Sequence, residues 1–260
     1  MGLLQGRRVL VAGARNKWSI GWHCALSMMR EGASLAFSVL SERERGDVRK
    51  LLDAVGRPDL PVLLCDATKA EEVEALFGQV GSLFEGRLDG LLHSIAYAPR
   101  QALAGEYAAT TQEDFDTAMN ASVYTLVALA QGARSLLEAS DGGAIVTLTY
   151  VGGERVVPRY NVMGVCKAAL ESTVRYLAYD LGAQSIRVNA VSAGPIKTLA
   201  AQGIQGFGAM LEQATERSAL RRRVDADEVG DAVAFMMSPL ARGITGETLY
   251  VDAGIHIMGM

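Results

Sequence analysis

Residues 8–39 read R-V-L-V-A-G-A-R-N-K-W-S-I-G-W-H-C-A-L-S-M-M-R-E-G-A-S-L-A-F-S-V. Arg8 to Gly13 is a short, β-branched apolar run ending in glycine. A polar turn follows, and Ile20 to Glu31 carries apolar residues at helical spacing. Gly32-Ala33 breaks the chain before a second apolar run, Ser34 to Val39. The order strand, turn, helix, strand is a β-α-β unit.

Outward from this unit the same alternation continues. Glu44 to Val55 reads as an amphipathic helix and Pro61 to Asp66 as a third strand, with Thr68 as cap for a helix through Leu83. Leu88 to Ala96 is a fourth strand. Thr111, with Asp114 three residues on, opens a long helical stretch from about Gln112 to Glu138. Ala144 to Tyr150 is the fifth strand, and a helix from about Asn161 to Leu181 feeds a sixth, Ile186 to Gly194. Asp225 caps a helix to Met237, and Thr248 to Gly254 is the seventh strand. Near-continuously apolar strands that alternate with helices predict a parallel sheet covered on both faces. The expected fold is α/β: one Rossmann-type, doubly wound domain over residues 1–260 with a seven-stranded parallel sheet. Leu199 to Arg217 is helical in pattern but interrupted by Gly203, Gly206 and Gly208, and is read as a mobile lid within a segment of about 196–217.

Composition narrows the function. A formal net charge of -4 argues against a nucleic-acid binder. The local exception, Arg221-Arg222-Arg223, reads as solvated surface or as a contact for an acidic protein. Cys24, Cys65 and Cys166 have no paired spacing and read as buried hydrophobes in a reducing compartment. His23, His93 and His256 show no ligand pattern, so no metal site is assigned. Met1 to Leu10 does not read as a signal peptide, and no run of about 18 apolar residues offers a membrane span. A soluble, cytoplasmic protein is expected.

Candidate site residues gather at the carboxyl ends of the strands, where open α/β sheets bind ligands. After the first strand, Gly13 and Gly21 bracket a loop in which Ser19 supplies a hydroxyl; residues without bulk there let backbone and a helix amino terminus approach a pyrophosphate. Asp66 ends the third strand, either as an acceptor for adenine or as a cap. Ser94-Ile95-Ala96 ends the fourth with small residues. At the tip of the second strand stand Leu40 and Ser41, with Glu42, Arg43 and Arg45 beyond, so NADH versus NADPH stays open with a lean to NADH. Between Thr147 and Lys167 two tyrosines, Tyr150 and Tyr160, lie ten residues apart with Lys167 seven beyond the second. A helix beginning near Tyr160 would align it with Lys167 across about two turns.

Gly13 to Gly21, Cys65-Asp66, His93 to Pro99, Leu148 to Tyr150, Tyr160 to Gly164, Arg187 to Pro195 and Val251 to Gly254 together resemble the bacterial NAD(P)H-dependent enoyl-acyl-carrier-protein reductases, a divergent branch of the short-chain dehydrogenases, over essentially the whole chain. Ordinary short-chain dehydrogenases carry tyrosine four before the lysine, a position held here by Met163, and their serine position is held by Tyr150. The resemblance implies that Tyr160 hydrogen-bonds the thioester carbonyl, Lys167 holds the nicotinamide ribose and Tyr150 lines the substrate site. It places Gly13, Ser19, Ile20, Asp66, Ala67, Ser94, Ile95, Lys167, Ile196, Thr198 and Ala200 against the cofactor. Ala96, Ala98, Leu103, Met163, Ile204 and Phe207 would line the acyl pocket. The implied partners are an enoyl thioester on acyl carrier protein and further copies of the chain in a homotetramer. Arg43, Arg45 and Arg221 to Arg223 are candidates to meet the acidic carrier. Asn120 stands where ordinary members keep a proton-relay asparagine and is left unassigned. The rival readings are a dehydrogenase of alcohols or ketones, which would need tyrosine at Met163, and a nucleotide-binding homologue without catalysis.

Overall fold

Residues 2–140, 142–196 and 207–259 are described by the computed structural model. Strands β1 (Arg8–Ala12), β2 (Ser34–Val39), β3 (Val62–Leu64), β4 (Gly90–His93), β5 (Ala144–Thr149), β6 (Arg187–Ala193) and β7 (Thr248–Val251) form one sheet in the order β3-β2-β1-β4-β5-β6-β7. Every pairing is parallel. The strand order reverses beside β1, which pairs with β2 on one side and β4 on the other, so the crevice for a ligand opens over the carboxyl ends of β1 and β4.

The helices are α1 (Ile20–Arg30), α2 (Glu42–Ala54), α3 (Ala70–Leu83), α4 (Gln112–Met119), α5 (Thr125–Glu138), α6 (Val162–Gly182), α7 (Phe207–Arg217) and α8 (Ala226–Met237). Alternation along the strands splits the core in two. Val9 and Val11 of β1 pack with Trp22 and Met28 of α1, Leu52 of α2 and Val233 of α8. Leu10 and Ala12 point the other way, to Leu76 of α3, Leu129 of α5 and Val174 of α6. A sheet buried on both faces needs apolar residues at both parities, which is why its strands read as unbroken hydrophobic runs.

Local differences from the sequence reading have identifiable causes. β3 is an edge strand and begins after Pro61, which has no N–H to give; the Pro61 carbonyl still accepts from Phe37 N at 2.9 Å. Thr68 does not cap α3: its hydroxyl and N–H both donate to Asp66, and Lys69 occupies the cap position without a side-chain bond. Asp225 does cap α8, with Glu228 completing the reciprocal box. The stretch read as one helix from Gln112 to Glu138 contains a π-helical turn, Asn120–Tyr124, in which the Thr125 N–H donates to the Asn120 carbonyl.

Candidate active site

Gly13 leaves β1 with φ +98°, and a Cβ there would stand 2.3 Å from the Ser94 carbonyl oxygen. The first turn and the end of β4 therefore touch backbone to backbone, which only glycine permits. A Cβ on Gly21 would likewise meet Ser94 Oγ at 2.7 Å. Ser19 caps α1, its hydroxyl accepting from Trp22 N at 3.3 Å. The first N–H groups of α1 have no intrahelical acceptors, so the amino terminus beside these small residues suits an anionic pyrophosphate. Gly13, Ser19, Ile20, Ser94 and Ile95 are thus brought together. The Asp66 carboxylate is engaged in a local turn before the helix: Oδ1 accepts from Thr68 N at 3.1 Å and Thr68 Oγ1 at 2.6 Å, and Lys69 lies 3.7 Å from Oδ2.

The tip of β2 carries a residue that sequence reading passed over. Ser41 caps α2 and Glu44 is the third helical residue, where a capping box would return its carboxylate to Ser41 N. Instead Glu44 Oε2 accepts from Leu40 N at 3.0 Å, and Arg15 lies 3.5 Å from its other oxygen. Arg45 is paired with Glu42 at 2.6 Å and Arg222 with Glu228 at 2.7 Å, so neither offers a free charge to a partner.

Tyr160 lies outside α6. Asn161, at φ +40°, is the N-cap, and this left-handed residue breaks the two-turn alignment with Lys167 that a helix starting at Tyr160 would give. The Tyr160 carbonyl accepts from Met163 N at 3.0 Å, and its ring meets Tyr150 edge-on, with centroids 5.1 Å apart at 75°. Burial, and then the neighbouring Tyr150, Cys166 and Glu171, push the Tyr160 phenol far above its ordinary range. Burial and Asp252 raise Tyr150 as well. Both phenols therefore keep their protons at neutral pH and act as donors. The Lys167 ammonium is buried and donates to the Leu148 carbonyl at 2.8 Å, not to Tyr160; burial pulls its pKa down to about 8.

Glycines bring the loop after β5 onto α6. A Cβ on Gly152 would strike the Tyr160 ring at 2.6 Å, one on Gly164 the Gly152 carbonyl at 2.8 Å, and one on Gly153 the Ala168 nitrogen at 2.9 Å. Met163, Leu103, Ala98 and Tyr160 pack together in a third apolar cluster with Val123 and Cys166. The Ser122 hydroxyl of the π turn accepts from Tyr97 N at 3.0 Å and lies 3.8 Å from Met163 Sδ, tying the loop that carries Ala96 and Ala98 to this cluster. Ala96 is exposed and Ala67 buried. Tyr150 also lines a cavity of about 570 Å³ together with Val151, Arg155, Pro158, Pro195 and Ile255. The expected contacts at Thr198, Ala200 and Ile204 lie outside the described residues, as does the side chain of Phe207; Ile196, half-buried, packs against the core.

A family model described as enoyl-(acyl carrier protein) reductase matches residues 13–256. The chain belongs to that reductase family. It is 46% identical to the enoyl-[acyl-carrier-protein] reductase [NADH] of Bacillus subtilis, covering 98% of this chain and 97% of that protein. Identity to the Bacillus cereus enoyl-[acyl-carrier-protein] reductase [NADH] is 47%, over 100% of both chains. The crystal structure of the Bacillus cereus enzyme with NADP+ and indole naphthyridinone superposes with a TM-score of 0.96 at 46% identity, again over 100% of both chains.

In this reductase the residues missing from the sequence reading are those that support the tyrosines. Gly152 and Gly153 could have been found, since paired glycines after a strand signal close approach. His93 had a fainter signal, a histidine inside an apolar strand. Its Nε2 lies 3.0 Å from Thr125 Oγ1, which donates to Ala121 O, so the ring must carry its proton on Nε2 and accept from Thr147 at Nδ1, 2.8 Å away. Burial, then the Lys167 charge, lowers its pKa to about 3, and the neutral ring props β4 and β5 against the π turn. Among the described residues no helix is long and apolar enough to cross a membrane.

Proposed function

We propose that this reductase transfers hydride from NADH to the β-carbon of a trans-2-enoyl thioester carried on acyl carrier protein, a step of fatty-acid elongation in the cytoplasm. The observation that carries the mechanism is the half-buried, edge-on pair Tyr150 and Tyr160, with apolar, buried Met163 where an alcohol dehydrogenase would need its tyrosine. Alcohol oxidation asks for a tyrosine that can give up its proton. A phenol whose pKa is driven upward by burial is suited to the opposite task.

The bound nicotinamide supplies the hydride. As it arrives, negative charge develops on the thioester oxygen, and the Tyr160 hydroxyl donates a hydrogen bond to that oxygen. A donor placed in this way is worth about 3 to 4 kcal/mol in the transition state. Tyr150 holds the Tyr160 ring edge-on and lines the acyl site, and Lys167 holds the nicotinamide ribose. Residues 197–206 of the lid expected at about 196–217 lie outside the described residues. Glu44 supports the lean to NADH, since its carboxylate at the β2 tip can accept from a ribose 2′-hydroxyl, while Arg15, 3.5 Å from its other oxygen, is the cation that a 2′-phosphate would meet.

Three exposed tyrosines, Tyr124 beside α5 and Tyr176 and Tyr179 on α6, support assembly of four copies through these helices. Arg43, Arg221 and Arg223, which have no carboxylate partner among the described residues, are the remaining candidates for the acidic carrier. Steady-state kinetics with crotonyl thioester test the roles: Tyr160→Phe is expected to lower kcat with NADH affinity kept, and Lys167→Ala to weaken NADH binding as well. The opposite pattern refutes the assignment.

A further inference from the structure

Successive residues of β5 grip successive turns of α6. The Leu148 carbonyl accepts from Lys167 Nζ at 2.8 Å, and the Thr149 hydroxyl donates to Glu171 Oε1 at 2.6 Å. Lys167 and Glu171 are four residues apart and so share one helical face. Both are buried, at 6% and 8% exposure, without a direct ion pair between them. The packing above them is closed, because a Cβ on Gly153 would lie 3.1 Å from Glu171 Oε1 and 3.0 Å from the Lys167 carbonyl carbon. Below them Ser192, in register with Thr149, has a buried hydroxyl without a partner among the described residues, on the face of β6 that carries Val188 and Ala190 toward α6. The carboxylate is thus bonded by the Thr149 hydroxyl, with the Lys167 side chain one turn away on the same helical face. The other charged or titratable groups that reach Glu171 are Glu154 of the loop after β5, Arg175 of α6 and Tyr160; those that reach Lys167 are Cys166 and His93.

A lone buried ion is strongly disfavoured, whereas two opposite ones separated by a helical turn each make the other's charged state tolerable. We propose that Glu171 is a positioning residue for the reduction: clamped by Thr149, its carboxylate is the counter-charge that keeps the Lys167 side chain cationic and drawn to the Leu148 carbonyl. The ribose-holding role of Lys167 is the part of the reductase reading on which this rests. Glu171 also stands behind Tyr160, where its charge opposes loss of the phenol proton. One carboxylate therefore favours the protonated form of both groups.

The test is NADH affinity, read from the fluorescence of bound NADH across roughly pH 6 to 10, a range that brackets the lysine titration. Wild-type protein is expected to lose affinity as Lys167 deprotonates near 8. Glu171→Gln keeps the hydrogen bond from Thr149 and removes the charge, so the midpoint should move acid-ward by on the order of one pH unit. Glu171→Asp should return most of that shift. An unmoved midpoint in Glu171→Gln overturns the proposal whatever happens to the melting temperature, as does equal loss in both variants at every pH. If Glu171→Gln does not fold, Thr149→Val carries the test, with a smaller acid-ward shift expected and none overturning the proposal. Since no thioester enters this assay, a wild type that binds NADH but reduces no enoyl thioester refutes the reductase reading separately.

Discussion

Gly152→Ala is the most demanding perturbation of the site, because it adds one methyl group and no charge. The new Cβ would stand 2.6 Å from Tyr160 Cδ1 and 2.9 Å from Cε1, inside any tolerable contact. Carbon atoms pack at about 3.5 to 4.0 Å, so the ring must retreat by on the order of 1 Å. It cannot retreat freely, since Tyr150 meets it edge-on at 5.1 Å and Met163 packs in the same cluster. Displacing a catalytic donor by about 1 Å costs up to 10²-fold in rate. The expected result is a kcat on crotonyl thioester lowered by roughly 10- to 100-fold, with NADH affinity within a few-fold of wild type. Gly78→Ala is the control: nothing lies within 4 Å of its Cβ, and a helical glycine replaced by alanine should gain roughly 0.5 to 1 kcal/mol of stability with activity unchanged. If Gly152→Ala turns over within twofold of wild type, the claim that this glycine sets the position of the Tyr160 hydroxyl is wrong.

Other outcomes follow from the same geometry. Lys167 is cationic below its pKa of about 8, so NADH affinity and kcat/KM should fall as pH rises through that value; a rate constant level across it would show that the ammonium is not needed. Glu44→Gln should lower the preference for NADH over NADPH by on the order of tenfold, about 1.4 kcal/mol, in parallel kcat/KM measurements. Asp89, 1% exposed, binds Arg7 and Arg87 at 3.1 and 2.7 Å and the Arg8 N–H at 2.9 Å; Asp89→Ala should destabilise folding by about 3 to 5 kcal/mol in urea titration.

The sheet could be read from the chain because burial on both faces leaves a strand no choice but apolar residues at both parities, as in Val9-Leu10-Val11. The cofactor crevice was legible for a similar reason: close approach to the Ser94 backbone requires glycine at 13, and close approach to its side chain requires glycine at 21. What escaped depends on contacts far apart in sequence. The π turn at Asn120–Tyr124 has no local signature, because the Thr125 hydroxyl that takes up the Ala121 carbonyl is itself fixed by His93 from another strand. The helix was expected from about Asn161, as found, but the two-turn alignment of Tyr160 with Lys167 needed it to begin at Tyr160; the left-handed Asn161 sets that tyrosine apart, and nothing in the Tyr-Asn pair announces the conformation. Glu44 and Glu171 carry no signal in the sequence that sets them apart from other helix carboxylates. Only the fold brings the first to Leu40 N and buries the second beneath Gly153.

The central claim is hydride delivery to the β-carbon of an enoyl thioester. It is tested most directly by incubating the protein with crotonyl thioester and NADH deuterated at the transferring position, then locating the label in the product by NMR. Deuterium on C3 of a butyryl thioester, with a solvent-derived proton on C2, is the expected result. A label on an alcohol carbon, or NADH bound but never consumed, would contradict it.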